Sequence, residues 1–202
     1  MASTTPFLPA TAARRSMYAL SKTCPISNDA ILAIITHAVT YAPSPFNVRS
    51  TRCILALGPA HTSLWSAAHT ATALASPSAM PFLGPRIAAF GAAYGTVLFF
   101  DADDAVEALD ARGRALCRQF PEWEEHASGM CQFVVWTALE AEGLGANLQH
   151  YQAGVGEFAR EEWGVPEGWR LKAQLVFGGV VEGPGEEKAR TGLEGAIRVV
   201  GV

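Results

Sequence analysis

The sequence predicts an α/β or α+β fold in which helices pack around one sheet, and three observations carry that prediction. Thr96-Val97-Leu98-Phe99-Phe100 is a short, continuous run of β-branched and aromatic residues, the pattern of a strand buried on both faces. Ile31, Ile34, Ile35, Ala38 and Val39 recur at helical spacing and mark one buried face. Segments of the two kinds alternate along the chain. At 202 residues the chain is expected to form a single domain, 1–202, long enough to bury a sizeable core.

Taken in order, Thr5 to Leu20 reads as helical in its middle, ending near Ser16 to Leu20, and carries Arg14-Arg15-Ser16. Ser27 is placed to cap the next helix, with Asp29 in its first turn facing the positive end of the dipole. That helix delivers the chain to a loop, Pro43 to Arg52. Pro43 and Pro45 fix the backbone there and disfavour helix in the residues before them. The loop therefore presents the Ser44 hydroxyl, the Asn47 amide and the Arg49 guanidinium from a rigid base. An amide offers donors and an acceptor, so Asn47 can match a ring edge that mixes both. An ordinary helix-to-strand connection uses the same residue types.

Arg52 to Gly58 reads as a strand. Pro59 to Ser76 is Ala-rich and helical, with Leu64 and Trp65 as core anchors. Ser76 to Pro85 holds three prolines and one glycine and is expected to be a loop, a candidate wall for a ligand pocket through Met80 and Phe82. Arg86 to Tyr94 reads as a short helix. Asp101, Asp103 and Asp104 read as the start of a helix over Ala105 to Phe120 in preference to a metal cluster, because acidic residues gather at helix N-termini. Ala127 to Leu144 reads as a central helix, with apolar residues at Met130, Phe133, Val134, Thr137 and Ala138 and Trp136 on a neighbouring face, hydrophobic on most sides and ended by Gly143 and Gly145. Asn147 to Tyr151 is a candidate short strand, Val155 to Trp163 a helix and Leu171 to Val180 a strand.

Half of the residues are hydrophobic and 17% charged, which excludes a disordered chain. The net charge of −4 gives no electrostatic case for nucleic acid or an anionic membrane. Cys24, Cys53, Cys117 and Cys131 form no C-x-x-C pair and no zinc spacing, so they read as core or inert thiols of a reducing compartment. Met1 to Ala13 lacks the basic start of a secretory signal, and no apolar run is long enough for a transmembrane helix. Cytoplasm, with the nucleus beside it, is the expected compartment.

Two nucleotide motifs fail. Gly143-Leu144-Gly145-Ala146-Asn147-Leu148 lacks the final Gly of the dinucleotide fingerprint and lies at a helix end. Gly183-Pro184-Gly185-Glu186-Glu187-Lys188 lacks the Lys-Ser/Thr ending of a P-loop. Nothing supports a catalytic Cys–His pair. Glu124-Glu125 and Glu161-Glu162 read as solvated surface, since adjacent residues do not share a helix face. Three clusters remain: Arg14-Arg15-Ser16, Pro43 to Arg49, and Glu187-Lys188-Ala189-Arg190. The first and last hold the cations that a phosphate needs, provided the two ends of the chain meet.

These clusters carry a resemblance. The chain resembles the FMN-dependent nitroreductase superfamily, in the fungal and bacterial branch related to the yeast fatty-acid-repression nitroreductases. The resemblance runs through Arg14 to Leu20, Ala42 to Arg52, Tyr94 to Phe100, Trp136 to Glu140, Gly143 to Tyr151 and Glu186 to Arg190. It implies an α+β fold with a central mixed or antiparallel sheet flanked by helices, and an intimate homodimer with FMN at the interface. By similarity Arg14, Ser16, Lys188 and Arg190 would hold the FMN phosphate and ribityl end, and Arg15 matches a position that is basic in many relatives. Ser44, Phe46 and Asn47 would contact the isoalloxazine, with the backbone of Leu144 and Gly145 near its reactive edge. Two departures stand out. Tyr18 occupies a position that is basic in many relatives, and Arg49 one that is often Gln. Arg49 is expected to replace the missing charge and stabilise the anionic reduced flavin. Pro45, where the branch often has Ser, is expected to stiffen the loop.

The implied activity is ping-pong reduction of a nitroaromatic or quinone by NADH or NADPH, with no catalytic side chain required. A flavoprotein that senses or regulates, reducing only incidentally, is the alternative.

Overall fold

The computed structural model describes residues 6–152, 154–187, 189, 191 and 194–201. In chain order its elements are α1 (Phe7–Ala13), β1 (Leu20–Ser21), α2 (Asn28–Tyr41), β2 (Thr51–Leu57), α3 (Gly58–Ala75), α4 (Met80–Gly91) and β3 (Gly95–Ala102). These are followed by α5 (Asp103–Glu107), α6 (Ala111–Gln119), α7 (Glu122–Ala141), β4 (Leu144–Gln149), α8 (Val155–Trp163) and β5 (Trp169–Val180). Single 3-10 turns lie at Pro45–Asn47 and Pro77–Ala79.

The fold is α+β, with an antiparallel sheet. β2 pairs with β3, β3 with β5 and β5 with β4, while β1 meets the last residues of β5. β3 explains its own sequence, because every residue of it is buried. Val97 and Phe99 enter one core with Ile31 and Ile35 of α2 and Val135 and Leu139 of α7. Leu98 and Phe100 enter the other with Leu64 and Trp65 of α3, and Ile87 and Phe90 of α4. Alternate residues of one strand thus glue two helical layers. Ser27 caps α2 as expected, its Oγ accepting from the Ala30 N–H at 3.2 Å.

Several expectations change. The helix expected over Thr5 to Leu20 ends at Ala13, because the next residues are drawn out along β4: Ser16 bridges Ala146, and the Met17 N–H donates to the Ala146 carbonyl at 2.9 Å. Ser76 to Pro85 is not a loop. Pro77 opens a 3-10 turn, and Pro81 sits in the first turn of α4, where a missing N–H costs nothing. Burial of Ile87 and Phe90 then offsets Pro85 inside that helix, which replaces the one expected over Arg86 to Tyr94. The helix expected over Ala105 to Phe120 breaks into α5 and α6, since Asp110 caps a new start through the Gly113 N–H at 2.7 Å.

α7 begins earlier than Ala127, and Met130 and Phe133 face outward, while Cys131 and Val135 face the core. Gly143, at φ +87°, ends the helix, so β4 starts immediately and covers Leu144–Gln149 instead of Asn147 to Tyr151. Gly145 therefore belongs to the strand and does not terminate the helix. Asp103 and Asp104 open α5, but Asp101 is buried in β3. Glu124 is also buried, contrary to its reading as solvated surface. It accepts from Arg170 at 3.0 Å.

Candidate active site

The first cluster is held against the C-terminal half of α7. The Arg15 N–H donates to Glu140 Oε2 at 2.8 Å, and the Trp136 indole N–H donates to Glu140 Oε1 at 2.6 Å. One carboxylate thus fixes both the extended segment and the ring. Arg14 lies over that ring, its Cζ 4.2 Å from the centroid. Burial raises the Glu140 carboxyl above its ordinary range, against the lowering effect of the Arg15 N–H, the Trp136 indole and the Arg14 charge.

Beyond Ser16, the Asn147 amide of β4 donates to the Met17 carbonyl at 2.7 Å, and Gln149 donates to Asn147 Oδ1 at 2.8 Å. This closes the segment onto the strand that carries Leu144 and Gly145. The approach is close enough to require glycine. A Cβ at Gly145 would stand 2.7 Å from Leu20 Cδ2, 3.0 Å from Val180 Cγ2 and 3.1 Å from Met17 Cβ. The two ends of the chain also meet. The Arg15 guanidinium donates to the carbonyls of Gly185 and Glu186, both at 3.0 Å. Arg15 is thereby committed to the tail, while among the described residues no hydrogen bond takes up the Arg14 guanidinium, and Ser16 is exposed. Lys188 and Arg190 lie outside the described residues.

The second cluster is a strained turn. Phe46, Asn47 and Arg49 all have positive φ, at 52°, 53° and 49°. For residues with a side chain this conformation costs on the order of 1 kcal/mol each, and such strain gathers at functional loops. Local bonds hold it. The Arg49 N–H donates to Ser44 Oγ at 3.0 Å, Arg49 Nε donates to Asn47 Oδ1 at 3.1 Å, and Arg52 reaches the Arg49 carbonyl at 2.6 Å. Asn47 spends its acceptor on Arg49 and retains its amide donors. Phe46 is 50% exposed and stands 6.3 Å, centroid to centroid, from Trp123 at the start of α7.

Within one chain the two clusters are far apart. β5 registers Arg170 with Asp101, which pairs with Thr51 beside the strained turn, and Gly179 with Leu144 beside the first cluster. The distance along the strand is about 30 Å. Along α7, Trp123 beside Phe46 and Trp136 beneath Arg14 are 13 residues apart, about 20 Å.

The sequence did not single out the roles of Glu140, Trp136 and Asn147. Trp136 and Glu140 sit four apart on one helix, the spacing at which side chains meet. Nothing local marks Asn147.

Comparison with known proteins follows the same lines. The chain is 34% identical to the nitroreductase FRM2 of Saccharomyces cerevisiae over 180 residues, 88% of this chain and 90% of that protein. Its structure is similar to nitroreductase CinD from Lactococcus lactis in complex with chloramphenicol, with a TM-score of 0.86 and 33% identity over 97% of this chain and all of that one. The FMN- and NADPH-dependent nitroreductase NfnB from Sphigopyxis sp. strain HMH shares the fold at a TM-score of 0.68 and 19% identity, covering 96% of this chain and 98% of that one. The Nitroreductase family model matches residues 11–179, so the chain belongs to the nitroreductase family and is an oxidoreductase by that membership.

Proposed function

We propose that the chain is an FMN-dependent NAD(P)H oxidoreductase that reduces nitroaromatic or quinone-type acceptors, with donor and acceptor alternating at one site of a homodimer. The observation that carries this reading is the segment Arg14–Met17 laid along β4 beside Gly145, with the tail drawn in by Arg15. The donor set suits the cofactor. Arg14 and the Ser16 hydroxyl match a phosphate. Asn47 and Arg49 offer donors to a ring edge, and the exposed face of Phe46 offers an apolar neighbour.

When bound, FMN supplies the two-electron chemistry, taking hydride from NADH or NADPH and returning it to an electron-poor acceptor. The chain binds, orients and shields. Arg14 and Ser16 anchor the phosphate end, with Lys188 and Arg190 proposed beside them. The backbone of Leu144 and Gly145 lines the reactive edge. Arg49 places a positive charge where negative charge grows on reduction. Water can supply the protons, so no side chain is assigned as acid or base.

The distance between the two clusters supports the dimer. With the strained turn supplied by a second copy, a single ligand is held by both clusters without having to span α7. Met130 and Phe133 on α7, with Phe7 and Leu8 on α1, provide exposed apolar surface for that contact. CinD and NfnB, in the forms described above, support the acceptor and donor classes.

The test is an absorption spectrum of the purified protein, followed by anaerobic addition of NADH and then NADPH. A flavin spectrum that bleaches within seconds is expected. A yellow protein that neither donor bleaches would overturn the reductase. A protein still colourless after added FMN would overturn the cofactor.

A further inference from the structure

The four cysteines are of two kinds. The Cys24 thiol donates to the Ile26 carbonyl at 3.1 Å, and Cys117 is buried in a small core with Val48 and Val106. Cys53 and Cys131 meet each other instead.

Strand alternation brings them together. Cys53, Leu55 and Leu57 of β2 face the core that α7 enters through Cys131 and Val135, while Ile54 and Ala56 face the opposite core. Phe99, paired with Cys53 across β2 and β3, belongs to the same core as the two cysteines. There the Cys53 and Cys131 thiols share a side-chain hydrogen bond. Cys131 is 1% exposed. Cys53 is half-buried on the outer strand of the sheet, which opens the pair to a small solute.

The contact also sets the chemistry of the pair. The hydrogen bond from Cys53 lowers the Cys131 thiol, against burial and the Asp101 charge. The same bond, and then burial, raise the Cys53 thiol well above its ordinary value. The two therefore titrate as a unit that releases one proton before the other. A thiolate is the nucleophilic form of cysteine, and a second thiol in contact with it is what reversible oxidation requires.

We propose that Cys53 and Cys131 are a peroxide-sensitive dithiol that closes reversibly to a disulfide between β2 and α7. The thiolate of the pair attacks hydrogen peroxide and the O–O bond breaks. One oxygen stays on sulfur as a sulfenic acid, and the other leaves as hydroxide, which takes the proton released by the pair and becomes water. The second sulfur then attacks the first, and the S–O bond breaks. That oxygen leaves with the remaining thiol hydrogen as a second water. Two thiols and one peroxide thus give one disulfide and two waters, with two electrons passing from sulfur to peroxide. Exchange with a small-molecule thiol reopens the bond. The bond joins the strand that leaves the strained turn to the helix that carries Trp123 beside Phe46 and Trp136 beneath Arg14.

The experiment treats the intact protein, reduced and then freed of reductant, with a small molar excess of hydrogen peroxide. Thiols counted after denaturation should fall from four to two and return to four after a thiol reductant. Peptide mapping without reduction should give one cross-link, between Cys53 and Cys131. Cys24→Ser should leave that cross-link in place, and Cys53→Ser or Cys131→Ala should abolish it. The map of the unsubstituted protein decides the matter even where a variant fails to fold. Four thiols that survive the peroxide would overturn the proposal. So would a cross-link through Cys24 or Cys117, or oxidation of Cys53 and Cys131 to sulfinic acids without a cross-link.

Discussion

The Arg14 guanidinium lies over the Trp136 ring, 4.2 Å from its centroid, and Glu140 holds that ring from one helical turn further along. The cation is thus fixed by a neighbour that takes none of its hydrogen bonds. Arg14→Gln should weaken FMN binding tenfold or more, following the roughly 1.5–3 kcal/mol of a charge-assisted bond. Trp136→Leu should weaken it less, as it removes the platform but not the charge. Flavin fluorescence titration checks both, and unchanged affinity in Arg14→Gln would remove that residue from the site.

Gly145 is a packing requirement at the same place. Gly145→Ala puts a methyl group into contact with Leu20, Val180 and Met17 at 2.7–3.1 Å. The Arg14–Met17 segment should be pushed from β4, at a cost of about 1–3 kcal/mol in stability. Chemical denaturation should show that loss together with weaker FMN binding. Full stability with normal flavin content would mean that the segment accommodates the methyl group.

Arg49 bears on the potential of the flavin more than on its retention. Arg49→Gln should keep FMN but lower its midpoint potential by about 20–40 mV, corresponding to roughly 1–2 kcal/mol for two electrons. Spectroelectrochemical titration measures this. An unchanged potential would leave Arg49 as a turn residue that bonds Asn47.

Two buried groups give stability opposite pH slopes. Burial raises Asp101 to about 6, against the pull of Lys172, 3.5 Å away on the bulge of β5. The unfolded value is 3.8, so between these values the folded state holds the extra proton. Asp101 therefore contributes stability at low pH that is lost as pH rises through about 6. His61 falls from 6.5 to about 4, so there the unfolded state holds the extra proton and stability rises with pH. The two contributions oppose between about 4 and 6. Asp101→Asn should leave a stability that rises across this window, at most by about 1.4 kcal/mol per pH unit. His61→Gln should leave one that falls. Denaturant midpoints measured at several pH values would expose identical slopes, which would contradict the assignment.

Much of the fold was legible because its signals are periodic. The buried β3, the inward face of α2 and the Ser27 cap all follow from spacing and capping chemistry. What the sequence hid was set by partners distant in the chain. α1 stops early because β4 claims the residues after it. The prolines between Ser76 and Pro85 sit within a turn and a helix, since α3 supplies a surface to bury Ile87 and Phe90. Glu124 looked solvated until Arg170 crossed to it. At the candidate site, residue types and the family resemblance named the clusters, but the anchoring of Arg15 by Glu140 spans 125 positions and leaves no local trace. The left-handed turn at Phe46 was also invisible, because Phe is not a residue that announces positive φ.

The separation of the two clusters along β5 has a genetic corollary. If each flavin takes its anchor from one copy and its ring contacts from the other, the two halves of a site are encoded on different chains. A variant damaged at Arg14 and another damaged in the strained turn would each be inactive alone. Mixed and allowed to exchange subunits, they would form hybrids in which one site collects both defects and the other collects none. At random pairing about a quarter of all sites would then be intact, as twofold symmetry requires. Activity recovered from two dead proteins would be the signature of this division.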